Sequence, residues 1–372
     1  MNRHLSDRIS GIREKLAASD IDTFIVSTEE NRRYLSGFTG EDGQFDETAG
    51  VLLITATSLK LATDGRYTLQ AVREAPDYEV ITYDKGVPQA LPDILADLKT
   101  ERLGFEARRM PYAQYQSIDK YLRRHPNRIE MVPATDWVES LRVVKNDDEI
   151  EQTRKASAIA EAVFSHVLKN LAPGTTEKAV AWEMEKGLRE AGADGLSFPV
   201  IVAGGPNSAL PHAIPGDREI KAAEPILFDW GIRKNGYCSD TSRTVILGKP
   251  DDTFLSVYQA VRRAHELATR AIRPGISAKK VDAVARNHIE SAGFGGKFTH
   301  GLGHGTGLAI HEAPRLNPTS DTVLAPGMIC TVEPGIYLPG WGGVRLENQV
   351  VVTTDGVDVL TRLGLDDYII SL

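Results

Sequence analysis

Apolar side chains recur along this chain with two distinct periods, and the changes between them predict its elements. "DRISGIREKLAASD" (7–20) and "AQYQSIDKYLRR" (113–124) carry apolar residues at helical spacing. "IDTFIVS" (21–27) and "GVLLITAT" (50–57) are short β-rich runs. That alternation predicts an α/β domain over residues 1–135. Between 131 and 150, "MVPATDWVESLRVVKNDDEI" carries a proline and then a charged cluster. It reads as the joint between domains, with the next helix starting near Asp147. Residues 136–372 form the second domain in this reading.

The second part holds a weak internal repeat. "PGTTEKAVAWEMEKGLREAG" (173–192) and "PGISAKKVDAVARNHIESAG" (274–293) share Pro-Gly, a valine seven residues after the proline, and a closing Ala-Gly. Each predicts a turn, a helix and a glycine stop. A histidine follows each copy, His212 in "ALPHAIP" and His311 in "LAIHEAP", and apolar strands carrying acids come next. The matching order of these features favours duplication over chance.

The acids interrupt runs that ought to be buried. Asn235-Gly236 signals a two-residue hairpin turn, which pairs Arg233 with Cys238 and sets Gly231 against Asp240. Side chains alternate faces along a strand, so Asp229 and Asp240 become diagonal neighbours within about 7–8 Å. Either each pairs with an arginine, such as Arg233 or Arg243, or a cation lies between them, because burying a lone carboxylate is costly. Glu333 at the end of "GMICTV" and Glu347 within "GGVRLENQVVV" repeat the anomaly.

"THGLGHGTGLAIHEAP" (299–314) packs three histidines and four glycines into one stretch. Each glycine costs a helix about 1 kcal/mol relative to alanine, so the segment reads as a loop leading into a short strand, Leu308–His311. It brings His304 as a single nitrogen ligand. Asp229, Asp240, Glu333, Glu347 and His304 exceed what one zinc needs and suit two divalent ions, roughly 3.5–4 Å apart if carboxylates bridge them. His212 and His311 are candidates to flank the ions as hydrogen-bond partners or oxyanion stabilisers. His300 is left as a residue that orders the loop. His4, His125, His166, His265 and His288 lie away from converging acids and read as surface or packing residues.

Composition narrows the classes. With 41% hydrophobic and 25% charged residues this is an ordinary globular chain, and a net charge of −8 without basic blocks argues against a nucleic-acid partner. Cys238 and Cys330 are the only cysteines, consistent with a reducing compartment. A charged N-terminus and the lack of any apolar run of about 18 residues predict no signal peptide and no membrane span, with the cytoplasm as default location.

Taken together, "DWGIRKNGYCSDTSRT", "HGLGHGTGLAIHEAP", "TVEPGIY" and "GVRLENQVVVT" resemble the pita-bread metallopeptidases, in particular their aminopeptidase P and prolidase branch. "RRYLSGFTGEDGQF" and "TDGRYTLQA" are similar to the creatinase-like N-terminal domain of those enzymes. The resemblance spans nearly the whole chain. It implies a mixed α/β (α+β) architecture, with a creatinase-like α/β domain followed by a pita-bread domain with an internal pseudo-two-fold repeat. It also implies two divalent ions per subunit, manganese first and cobalt or zinc as alternatives.

By position, Asp240 and Glu347 would bridge the ions, Asp229 would bind one, and His304 and Glu333 would complete the other. His212 and His311 would bind substrate and stabilise the transition state, and Tyr337 and Arg345 would support the site from behind the ligands. Glu333 would shuttle the proton of a water activated between the ions. Thr306 and the pair Thr241-Ser242 depart from the commoner aliphatic residue and Ile-Thr. The implied activity is removal of the first residue from peptides with proline second, as a homodimeric Xaa-Pro aminopeptidase, with Xaa-Pro dipeptidase as the alternative. A creatine hydrolase or a non-catalytic relative of this fold would lack the five ligands, and a methionine aminopeptidase would lack residues 1–135. A two-metal phosphoesterase requires that the resemblance mislead.

Overall fold

Strand-like and helix-like runs both find the partners their apolar faces require. The computed structural model describes residues 3–43, 47–124, 126 and 128–371, in two units, 1–142 and 143–372. In the first unit, β1 (Thr23–Val26), β2 (Val51–Thr55), β3 (Leu59–Thr63), β4 (Glu79–Thr82), β5 (Arg102–Glu106) and β6 (Glu130–Ala134) form one sheet, ordered β4-β3-β2-β1-β5-β6. Only β2 runs against its neighbours. Helices α1 (Arg3–Ser19), α2 (Glu29–Ser36), α3 (Thr68–Glu74), α4 (Val87–Asp97), α5 (Tyr112–Leu122) and α6 (Glu139–Arg142) complete the unit. Ile9, Ile12 and Leu16 form the buried stripe of α1. Ile25, Leu53 and Leu103 of the sheet pack with Leu91 and Leu95 of α4 and Ile118 and Leu122 of α5. Sequence alone puts 136–142 with the second domain, whereas these residues pack within the first unit. The Trp137 ring lies 5.0 Å from that of Phe24, and Arg142 donates to Asn31 at 2.6 Å.

In the second unit α7 (Asp147–Leu168) begins under a capping box. Asn146 accepts from the Glu149 N–H at 3.0 Å, and Glu149 accepts from the Asn146 N–H at 2.9 Å. α7 and α8 (Glu177–Glu190) bury Ala160, Phe164, Met184 and Leu188 against β8 (Ile201–Gly204), β9 (Pro225–Trp230) and β12 (Thr241–Leu247). The short strands β7 (Gly195–Leu196), β10 (Ile232–Lys234) and β11 (Tyr237–Cys238) form a side sheet. α9 (Asp252–Ala271) and α10 (Ala278–Ile289) pack likewise on a second sheet. That sheet has the order β14-β13-β15-β18-β19, built from β13 (Gly303–Gly305), β14 (Glu312–Leu316), β15 (Ile329–Val332), β18 (Asn348–Val352) and β19 (Val357–Val359). β16 (Gly335–Leu338) pairs with β17 (Gly342–Arg345), and β20 (Ile369–Ile370) joins β12. Among the described residues no helix is long and apolar enough to cross a membrane.

The two halves match in detail. Gly174 and Gly275 have φ of 88° and 83°, and Gly192 and Gly293 have 92° and 90°, all in the left-handed region that favours glycine. The Gly174 N–H bonds Ile220 O and the Gly275 N–H bonds Leu324 O, each at 2.9 Å. One stretch differs from expectation. Leu308–His311 is a bend, and the strands lie on either side of it, at Gly303–Gly305 and Glu312–Leu316. The glycines serve close strand packing, since a Cβ on Gly303 would run into the Thr331 carbonyl and one on Gly305 into that of Ala313.

His4 and His166 are exposed, His288 is half-buried, and His125 lies outside the described residues. His265 on α9 is buried at 2% exposure. Burial pushes its imidazole down from the ordinary 6.5 to about 3. Between those values the unfolded chain binds a proton that the folded chain does not. Stability therefore falls as pH drops below 6.5, by up to about 1.4 kcal/mol per pH unit. His265→Gln is expected to flatten the decline of melting temperature between about pH 6.5 and 4.5; an unchanged slope would exclude His265 as its source.

Candidate metal centre

One register runs from the hairpin into the long strands of the first half. Arg233 opposes Cys238, Trp230 opposes Thr241, and Asp229 opposes Ser242. The turn itself has Asn235 and Gly236 at φ 49° and 83°, as a type I′ turn requires. This carries Asp240 to the position facing Gly231, diagonal to Asp229, where a Cβ on Gly231 would strike the Ser239 carbonyl. Asp229 does pair with an arginine, though neither Arg233 nor Arg243. Arg345, from β17, donates to its Oδ2 at 2.6 Å. Asp229 Oδ1 is buried without a hydrogen-bond partner among the described residues. Arg243, also buried, donates to the carbonyls of Ser242 (2.8 Å), Glu347 (2.6 Å), Leu363 (2.7 Å) and Gly364 (3.2 Å), and to Asn348 Oδ1 (2.8 Å).

The second half delivers the other candidate ligands. His304 sits on β13, with its N–H bonded to Thr331 Oγ1 at 3.0 Å. Glu333 follows β15 and is tied by its N–H to Leu302 O at 2.8 Å. Glu347 lies between β17 and β18, and its N–H reaches Ser242 O at 3.1 Å. Asp240, His304 and Glu347 present ligand atoms within 4.8 Å of one another. His304 Nε2 lies 3.4 Å from Asp240 Oδ2 and 3.5 Å from Glu333 Oε1.

His304 Nδ1 is 3.1 Å from the Gly305 carbonyl. A carbonyl only accepts, so Nδ1 carries the proton in that bond and Nε2 is left as a bare lone pair. Burial pushes this imidazole down to about 3, which keeps it neutral. A lone pair facing two carboxylate oxygens is repelled by both. The carboxylates carry the same tension. Burial, then the charges of Glu347, Asp229 and Glu333, raise Asp240 well above the usual range. Burial, then Glu333 and Asp229, do the same to Glu347. Burial pushes Glu333 up to about 8 and raises Asp229 despite Arg345. A divalent cation reverses each of these penalties. Oxygen-rich donors with one imidazole fit such an ion, and the orphaned Asp229 oxygen is a further free donor.

A cleft of about 510 Å³ opens onto this cluster. His311 forms part of its wall, with its ring 4.4 Å from that of His304. His212, on the exposed loop after a 3₁₀ turn (Gly205–Ala209), also borders the cleft. Tyr337 is buried, and its OH accepts from Arg345 at 2.9 Å and lies 2.9 Å from His300 Nε2. His300 Nδ1 lies 2.8 Å from the Gly301 carbonyl. Nδ1 is therefore the protonated nitrogen, and Tyr337 donates to Nε2. His300 thus belongs to a chain running through Tyr337 and Arg345 to Asp229, beyond merely ordering its loop. Arg315, which sequence reasoning missed, faces His304 across β13 and β14, borders the cleft, and has no ion pair among the described residues. Its only signal is a position four residues after His311.

Residues 151–354 match the model of metallopeptidase family M24, and residues 8–144 match that of the creatinase/prolidase N-terminal domain. The chain belongs to metallopeptidase family M24. Its architecture is the creatinase N-terminal domain followed by the M24 pita-bread domain. It is similar to the solved structure of a Xaa-Pro dipeptidase from Bacillus anthracis, with a TM-score of 0.92 and 37% identity over 99% of this chain and 100% of that one. An X-Pro aminopeptidase from Thermotoga maritima matches with a TM-score of 0.87 and 33% identity, covering 98% and 100% of the two chains. A curated Xaa-Pro dipeptidase from Pyrococcus horikoshii is 31% identical over 96% of this chain and 97% of its own length.

The departures within this M24 site keep polar contacts. Ser242 Oγ donates to Glu347 Oε2 at 2.7 Å and accepts from Arg345 Nε at 2.8 Å. Thr306 Oγ1 accepts from Gln349 Nε2 at 2.7 Å. For the cluster itself, added manganese or cobalt is expected to raise the melting temperature of chelator-treated wild-type protein. Asp240→Asn should hold clearly less metal by elemental analysis; wild-type metal content in that variant would remove Asp240 from the ligand set.

Proposed function

We propose that the protein is a dinuclear metallo-exopeptidase that hydrolyses Xaa-Pro dipeptides. Asp229, Asp240, His304, Glu333 and Glu347 would hold the two ions. When bound, the ions supply Lewis acidity for activating a water and the scissile carbonyl. Glu333 takes the proton of the attacking water and passes it to the proline nitrogen. His311 is kept neutral, its pKa lowered by burial and then by Arg315, and donates an N–H to the developing oxyanion, with His212 donating from the same cleft. Tyr337 and Arg345 hold Asp229 in place. Manganese is the proposed ion and a homodimer the proposed assembly.

Arg315 carries the choice of dipeptide over longer peptide. A guanidinium that borders the cleft and has no ion pair among the described residues suits the free carboxylate of a C-terminal proline. The dipeptidase relatives support this reading over aminopeptidase action, which was the first expectation from sequence. The aminopeptidase remains the second reading, favoured by the likeness to the Thermotoga maritima enzyme.

A panel of Xaa-Pro dipeptides and Xaa-Pro-Xaa tripeptides decides between them. The dipeptide should have the higher kcat/KM, and Arg315→Met should raise its KM about 10- to 100-fold, the worth of one charge-assisted hydrogen bond, while leaving tripeptides unchanged. A tripeptide preference would establish aminopeptidase action instead, and equal cleavage of Xaa-Ala would remove the proline specificity. His212→Ala and His311→Ala should keep their metal yet lose about 10²- to 10³-fold in turnover; metal loss or full activity would overturn these roles.

A further inference from the structure

The bend at 307–311 brings Ile310 and His311 to the cleft, and its hold comes largely from outside itself. Among the described residues, the one backbone bond within it runs from the Gly307 N–H to Ala309 O at 3.1 Å. From one side, the Cys238 N–H reaches Gly307 O at 2.8 Å. From the other, Glu312 closes the bend with its side chain. One carboxylate oxygen accepts from the Ala309 N–H at 3.0 Å, and the other meets Lys145 Nζ at 3.0 Å. A Cβ on Gly307 would sit 2.7 Å from both oxygens of Glu312, so glycine alone leaves room for that carboxylate.

The ion pair is dry, with the Lys145 side chain 1% exposed and that of Glu312 7%. Lys145 is itself pinned, since its N–H bonds Gly327 O at 2.9 Å and its neighbour Val144 bridges to Met328. A buried carboxylate stripped of its cation must neutralise or move toward water. Neutralisation weakens the bond from the Ala309 N–H, since a neutral carboxyl is the poorer acceptor, and movement breaks it; both loosen the bend next to His311. The His304 backbone is held separately, by β13 and Thr331, so loosening the bend leaves the strand that carries it in place.

We propose that Lys145 and Glu312 are positioning residues that aim His311 at the substrate. This rests on the reading of His311 as a donor to the reacting carbonyl.

The test is a double-mutant cycle on whichever peptide the wild-type enzyme turns over, with metal content followed by elemental analysis. Lys145→Met and Glu312→Gln should each keep the wild-type metal content. Each should lower kcat about tenfold or more with a smaller change in KM, and Lys145→Arg should recover most of the loss. In a His311→Ala background the same substitutions should change kcat less than about twofold, because the residue they aim is gone. The full loss recurring in that background, or metal lost from both Lys145→Met and Glu312→Gln, would overturn the proposal alone. His311→Ala with wild-type turnover would overturn the reading of His311 and the proposal with it.

Discussion

Four carboxylates and one imidazole lone pair converge in a space too dry to leave them charged on their own. Asp240, Glu333 and Glu347 are each pushed above their ordinary pKa, and the first cause in every case is burial. Arg345 hydrogen-bonds Asp229, and its charge lowers the other three as well, yet all four remain raised. Much of the second unit is arranged to impose this crowding. The unbroken register of β9 and β12 sets the two aspartates, the glycine-spaced strand β13 delivers the histidine, and the ends of β15 and β17 deliver the glutamates. Residual charge of this kind is stable only when a cation completes it, so metal binding and the folding of this unit are thermodynamically linked.

The duplicated scaffold serves the two halves differently. Each contributes a helix pair on an antiparallel sheet and matching left-handed glycines. The first half supplies two aspartates, and the second supplies two glutamates and the histidine. The loops beside His212 and His311 are held by unlike devices. Near His212, the buried Glu177 accepts from the N–H groups of Gly204 (2.8 Å) and Gly216 (3.1 Å) and from Asn207. Near His311 the work falls to an ion pair.

What could be read from the chain was local. Asn235-Gly236 dictates its own turn, and that turn dictates which face Asp229 and Asp240 share. Proline-glycine starts and glycine stops mark α8 and α10. The partner of Asp229 was not legible, because Arg345 stands 116 residues away on a different strand and local pattern cannot choose among arginines. Leu308–His311 has strand-like composition, but it bends because Glu312 draws the Ala309 N–H out of any ladder. Arg315, Lys145 and Glu312 likewise acquire meaning only through contacts distant in sequence. The motifs point to the clustered acids and His304, and they do not separate dipeptidases from aminopeptidases.

Arg243 has a consequence for how this protein can vary. One guanidinium spans the backbone of Glu347 and the carbonyls of Leu363 and Gly364, so a remote stretch of chain is stitched to the rear of the reactive cluster. These contacts are to carbonyls, which every residue type possesses, so they place no demand on the side chains at 363 and 364, although Leu363 also packs against the core of the first half. They do constrain the path of the backbone there. Insertions or deletions around 363–364 should therefore be rarer among descendants of this chain than substitutions at the same sites.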